Sequence, residues 1–175
     1  MVKPTSTSPA LPIAYAALRI LIVLNWMFGA AILALLVVSP NRHWIMAAFK
    51  LTPSSDTEWL IWGMRGIAAL GLIGIPLNYV VLKRLLAIVE SVRAGDPFVA
   101  ANASRLQAIA WALLGIQMLS ITIGAIAHAV SSEAHPVHVD AGFSISGWLA
   151  VLLTFLLARV FAEGTLMRAD LEGTV

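Results

Sequence analysis

The densest group of chemistry-bearing side chains in this sequence is Glu133, His135, His138 and Asp140, set within eight consecutive residues. Imidazole nitrogens and carboxylate oxygens together suit zinc, copper or nickel. The expected ligands are His135 and His138 with Asp140, and the expected ions zinc or copper; no other cofactor is expected. The same imidazoles change charge between pH 5 and 8, which makes a proton sensor the second reading. The spacing matches no standard metal motif, and Pro136 interrupts a helical i, i+3 pair. A solvated polar loop is therefore the third reading.

Elsewhere polar groups are sparse and lie inside apolar runs. Gln117, Ser120, Gly124 and His128 follow one another at spacings of three, four and four, so a helix carries them on one face. Small and polar residues on one face suit close helix–helix contact with hydrogen bonds across it. The sharper alternative is a polar path from His128 toward Gln117. Arg65 stands six residues inside Trp59, about 9 Å along a helix. It either reaches the surface, pairs with Glu58 or Asp140, or faces a ligand. Asn25 and Asn78 read as interhelical hydrogen bonders. Gly63, Gly66, Gly71 and Gly74 read as a close-packing face, and Pro76 as a point where the helix bends.

No Walker loop, dinucleotide glycine pattern, nucleophile elbow or His-Glu-x-x-His motif occurs, and the chain reads as a non-enzyme. With no cysteine, disulfides, thiolate zinc sites and iron–sulfur ligation are excluded.

The elements that must position these residues follow from composition. Of 175 residues, 60% are apolar and 11% charged, with a mean hydropathy of +0.91. Soluble domains carry about 45–50% apolar and about 25% charged residues. The chain therefore belongs in lipid, as a single membrane domain over residues 1–175. A bilayer core about 30 Å thick needs roughly 20 helical residues. Four segments reach that length, which predicts an all-α polytopic protein built as an antiparallel four-helix membrane bundle. The helices are expected near 14–38, 59–93, 104–130 and 145–170, with outer loops 39–58 and 131–144 and a turn over 94–103. The 19 apolar-dominated residues from Ile20 to Val38 exceed a signal-peptide core, so the first segment reads as a retained membrane helix.

Cations set the orientation. Lys83, Arg84, Arg93 and Arg105 lie between the second and third segments, Lys3 precedes the first, and Arg159 and Arg168 close the fourth. Only Arg42 and Lys50 lie in the first loop, and no cation lies in the third. The positive-inside rule then places both termini and the middle turn in the cytoplasm. All four histidines fall outside, and Trp59, Trp62 and Trp148 fall near the outer interface. The inner cations are those that topology requires, with lipid head groups as their next partner. No element for reading nucleic acid accompanies them. Gly95 suits the end of the second helix, Asp96 an N-cap, and Pro97 the first turn of the third.

Gly95, Asp96, Pro97 and Phe98, followed by Asn102 and Arg105, and an ending that runs from Phe161 and Gly164 through Asp170 to Val175, carry a resemblance. The sequence resembles the YoaS-like family of small bacterial four-helix membrane proteins, a domain-of-unknown-function family. The resemblance implies an inner-membrane location and no catalytic residues. Through members encoded beside a small helix-turn-helix regulator, it also implies a cytoplasmic transcription regulator as partner. Gly95, Asp96, Pro97, Phe98 and Arg105 are the expected contact residues for it.

The leading reading is thus a non-enzymatic membrane sensor or regulator in which altered helix packing changes the surface of residues 83–105 and 162–175. Two alternatives stand beside it. One is a small transporter or channel, formed by a homodimer, with a path through Arg65, Gln117 and His128. The other is a membrane metal-binding protein using the outer histidines. For the metal reading, isothermal titration with zinc and copper should give heat that a His135→Ala/His138→Ala variant loses. Equal heats from both proteins would remove it.

Overall fold

The computed structural model describes residues 10–38, 55–131 and 139–172. His43, His135 and His138 lie outside them, as do residues 39–54 and 132–138 of the two loops expected on the outer side. The described residues form four helices: α1 (Ala10–Val38), α2 (Ser55–Arg93), α3 (Ala100–Val130) and α4 (Ile145–Glu172). All four are long and apolar enough to cross a membrane. At 1.5 Å per residue the 39 residues of α2 extend about 58 Å, well past a hydrocarbon core of about 30 Å. Helix α2 runs unbroken through Pro76.

The helices alternate in direction and pack in chain order. Helix α1 lies on α2, α2 on α3, and α3 on α4, with no backbone contact between α1 and α4 among the described residues. The expected bundle therefore takes the form of an open row. Its two ends are here named for what they carry: the turn end holds residues 94–99, and the loop end holds Trp59, Val130 and Ile145. Trp59, Trp62 and Trp148 all stand toward the loop end, the first two well exposed.

Lipid is as apolar as leucine, so helices inside it are not driven together by the hydrophobic effect and rely on close packing and hydrogen bonds. The seams show both. Gly63 lies so close to Val130 that a Cβ there would overlap the valine side chain, and Gly29 would meet Ile75 at 3.1 Å. Gly74 is also in close contact, with Leu119, whereas Gly66 has open space around it. The glycines of α2 thus divide into packing and non-packing positions. Asn25 bridges α1 to α2, donating from Nδ2 to the Ile75 carbonyl at 3.1 Å. Asn78 departs from expectation: its Nδ2 donates to the Gly74 carbonyl of its own helix, four residues back. That carbonyl is one turn away, so the bond forms without an interhelical partner. Trp111 and Phe155 join α3 to α4 edge-on at 5.3 Å.

The loop end is built from the polar face of α3. The Gly142 N–H donates to Ser120 Oγ at 3.1 Å, and the hydroxyl reaches the Gly142 carbonyl at 3.2 Å. Gly124 lies directly beneath Ala141 and Gly142, leaving no room for a side chain. Gly142 has φ +132°, a conformation that glycine tolerates and other residues avoid. Ser144 then caps α4, its Oγ accepting from the Gly147 N–H at 3.2 Å. Of the expected helix–helix contact face, Gln117 meets α4 at Gly147, Ser120 and Gly124 meet the segment that precedes α4 instead, and His128 is exposed.

Gly63→Ala should destabilise the protein by about 1–3 kcal/mol through overpacking against Val130. Gly66→Ala should be neutral or slightly stabilising, because Ala is the better helix former and nothing opposes its methyl. Thermal unfolding in detergent, followed by circular dichroism, checks both.

Candidate interaction surface at the interhelical turn

Helix α2 ends because Gly95 adopts φ +87°. The Gly95 N–H donates to the Val92 carbonyl and the Asp96 N–H to the Ser91 carbonyl, both at 3.1 Å. This pair of bonds is the Schellman closure, and it satisfies two carbonyls that the helix end would leave open. Helix α3 starts at Ala100, and its N-cap is Val99, without a side-chain capping bond. Asp96 is therefore not the N-cap expected from the sequence. Its carboxylate instead receives the Arg168 guanidinium from α4 at 2.6 Å. A cation across the turn competes for the carboxylate, and the helix begins three residues too late for it to cap.

Asn102 holds the turn together. It is fully buried, the one polar residue among the described residues with that status. Its Nδ2 donates to Ser91 Oγ at 2.7 Å and to the Pro97 carbonyl at 2.8 Å. Its Oδ1 accepts from Arg105 Nη1 at 2.8 Å, and the same nitrogen donates to the Ala87 carbonyl at 3.0 Å. Ser91 passes its own proton to the Ile88 carbonyl at 2.8 Å. One carboxamide thus ties α2, the turn and α3 together with every polar atom matched, which is the condition for burying it without loss.

The link to α4 is of a different kind. It consists of the Asp96–Arg168 ion pair, about half exposed on both sides, and Phe98 stacked on Phe161 at 5.6 Å. Phe98 remains 51% exposed, and Leu166 and Met167 on α4 are 66% and 63% exposed. Beside them, a cleft of about 460 Å³ opens between Ala103, Ser104 and Gln107 of α3 and Ala158, Arg159 and Ala162 of α4. Arg159 pairs with Glu163 at 2.7 Å, one turn along.

The expected contact residues thus fall together. Gly95 and Pro97 shape the turn, Arg105 braces it from inside, and Asp96 and Phe98 face α4. The ligand-path candidates are dispersed. The Gln117 amide occupies the space where a side chain at Gly147 would lie, with its Oε1 buried and lacking a hydrogen bond. His128 is exposed eleven residues further along α3, about 16 Å away. Arg65 is half-buried on α2, its guanidinium carbon 5.3 Å from the Trp62 ring centre. Asp140 is exposed, and among the described residues no three His, Asp or Glu side chains form a group able to hold a metal. No sequence motif gives Asn102 a role of its own or points to Ser91. A lone asparagine two residues into an apolar helix was the available signal.

Asn102→Ala should cost about 3 kcal/mol, because Ser91, Pro97 and Arg105 all lose a buried partner. Asp96→Asn should cost under about 1 kcal/mol, since its ion pair is half in solvent. Chemical denaturation in mixed micelles would compare the two.

No curated protein and no solved structure matches the chain. A family model described as a protein of unknown function, DUF2975, matches residues 14–175, from the first turns of α1 through the end of the chain. The chain therefore belongs to the DUF2975 family, whose function is unknown.

Proposed function

We propose that this protein is a non-enzymatic membrane regulator that presents the turn end to a cytoplasmic partner. The observation that carries the reading is the apolar surface of Phe98, Leu166 and Met167. It lies at the end of the row where α2 and α3 are fastened by buried hydrogen bonds and α4 only by exposed contacts. Apolar side chains that emerge from the bilayer beside a polar turn are suited to contact with another protein. The positive-inside distribution supports a cytoplasmic turn end. The YoaS-like resemblance supports a bacterial inner membrane and a helix-turn-helix transcription regulator as the partner.

The mechanism follows from the unequal fastening. The α2–α3 hairpin is fastened around Asn102 by buried hydrogen bonds, and we assign the shift to the end of α4, which meets the turn through exposed contacts. A signal acting in the membrane or on the outer loops can bias that shift only by binding one arrangement better than the other. The shift would open or close the Phe98–Phe161 stack and so change what the partner meets.

Two experiments test this. The chain has no cysteine, so single substitutions report accessibility without background. Ala94→Cys should react with an impermeant maleimide only from the cytoplasmic side and Asp140→Cys only from the other; the reverse pattern overturns the orientation. In detergent, the full-length protein should retain the co-expressed helix-turn-helix regulator, and Phe98→Ala/Leu166→Ala should lower retention at least tenfold. Unchanged retention would refute the proposed surface.

A further inference from the structure

Two arginines share one aromatic ring where α1 meets the end of α2. The Arg19 guanidinium carbon lies 5.0 Å from the centre of the Tyr15 ring, and that of Arg93 lies 4.9 Å from it. Nearby, the Lys83 ammonium stands 5.6 Å from the Tyr79 ring, which Trp26 meets edge-on at 5.5 Å. Three cations are thus held on aromatic rings along a single seam.

Among the described residues, no carboxylate pairs with any of the three. Residues 1–55 contain neither Asp nor Glu. Carboxylates are engaged elsewhere, Glu163 by Arg159 and Asp96 by Arg168. Two guanidiniums beside one ring repel each other, and cation–π attraction offsets only part of that. An anion between them removes the repulsion.

The position selects the anion. Arg19 is the first charge to interrupt the apolar sequence of α1, and Lys83 and Arg84 interrupt that of α2, which places Arg19 and Lys83 toward the hydrocarbon edge. Tyr15 lies four residues beyond Arg19, about 6 Å further out. Bilayers are about 30 Å thick in hydrocarbon and about 40–45 Å with head groups, which puts the Tyr15 ring in the phosphate layer. A guanidinium about 5 Å from a ring centre makes no hydrogen bond to it, and its planar N–H fork matches two phosphate oxygens at once.

We propose that Arg19, Tyr15 and Arg93 form a binding site for the phosphate of an anionic phospholipid, with Lys83 as a neighbouring cation. The site is independent of the partner surface above, since it lies on α1 and α2 and involves neither Phe98 nor α4. Lipid occupancy would fasten α1, the edge helix that touches only α2, to the end of the α2–α3 hairpin.

Native mass spectrometry of the full-length protein in detergent, titrated with phosphatidylglycerol or phosphatidylcholine, tests it. The wild type should retain phosphatidylglycerol preferentially. Arg19→Gln/Arg93→Gln should weaken that binding about thirtyfold, at about fivefold per cation, and leave phosphatidylcholine unaffected. Tyr15→Leu removes no charge but should still weaken phosphatidylglycerol severalfold, whereas Arg84→Gln should stay near wild type. Should the double glutamine variant fail to fold, Arg19→Lys/Arg93→Lys keeps the charge and should show a partial loss. Equal effects of Tyr15→Leu and Arg84→Gln would reduce the site to diffuse charge and overturn it. So would unchanged binding in the arginine variants, or displacement of the lipid by inorganic phosphate at matching concentration.

Discussion

The side-chain amide of Asn102 reaches no solvent, and the turn end is arranged so that it need not. Two donors and an acceptor must be matched inside an apolar hairpin, and Ser91, Pro97 and Arg105 are where they are because they match them. The demand propagates outward. Arg105 must fold back over α2 to the Ala87 carbonyl, and Gly95 must turn the chain at once so that Pro97 lies within reach. A carboxamide buried without these partners would carry the desolvation cost of each unmatched group, about 1–3 kcal/mol apiece. Specificity of register between α2 and α3 follows, because a slip of one residue in either helix would break the match.

Away from that end, close approach of backbones is supplemented by hydrogen bonds from Asn25 to Ile75 and between Ser120 and Gly142. Gly63 under Val130, Gly29 beside Ile75 and Gly124 under the 141–142 segment let backbones approach where no hydrophobic force between helices assists. These contacts are local and pairwise, which accounts for an open row whose helices touch only their neighbours in sequence. An open row leaves two edge helices. Helix α4 is joined to the turn by an exposed ion pair and a ring stack, and α1 carries its cations on tyrosine rings at the opposite edge. The hairpin thus carries the buried hydrogen bonds of the turn end, and each edge helix meets that end through exposed groups.

Much of the architecture was legible in the residues themselves. Hydropathy and segment length announced four helices, and Gly95 announced the end of α2. The polar face of α3 was legible at Gln117, Ser120 and Gly124, because i, i+3 and i, i+4 spacing is a property of one helix alone. Asp96 was misread as a cap, since a short acidic residue before proline suits that role until Arg168, 72 residues away, takes its carboxylate. Asn78 was misread as an interhelical donor because nothing in the spacing says whether a carbonyl of its own helix is nearer.

The sequence by itself determined the membrane class, the number of helices and the clustering of cations at one end. Each depends only on local composition and on the thickness of a bilayer. The tertiary structure alone decided that packing is sequential, that Asn102 is the buried polar centre, and that Arg19 and Arg93 meet on Tyr15. Those facts depend on which helix faces meet and at what depth. In lipid that choice rests on a few glycine approaches and hydrogen bonds whose partners lie far apart in the chain.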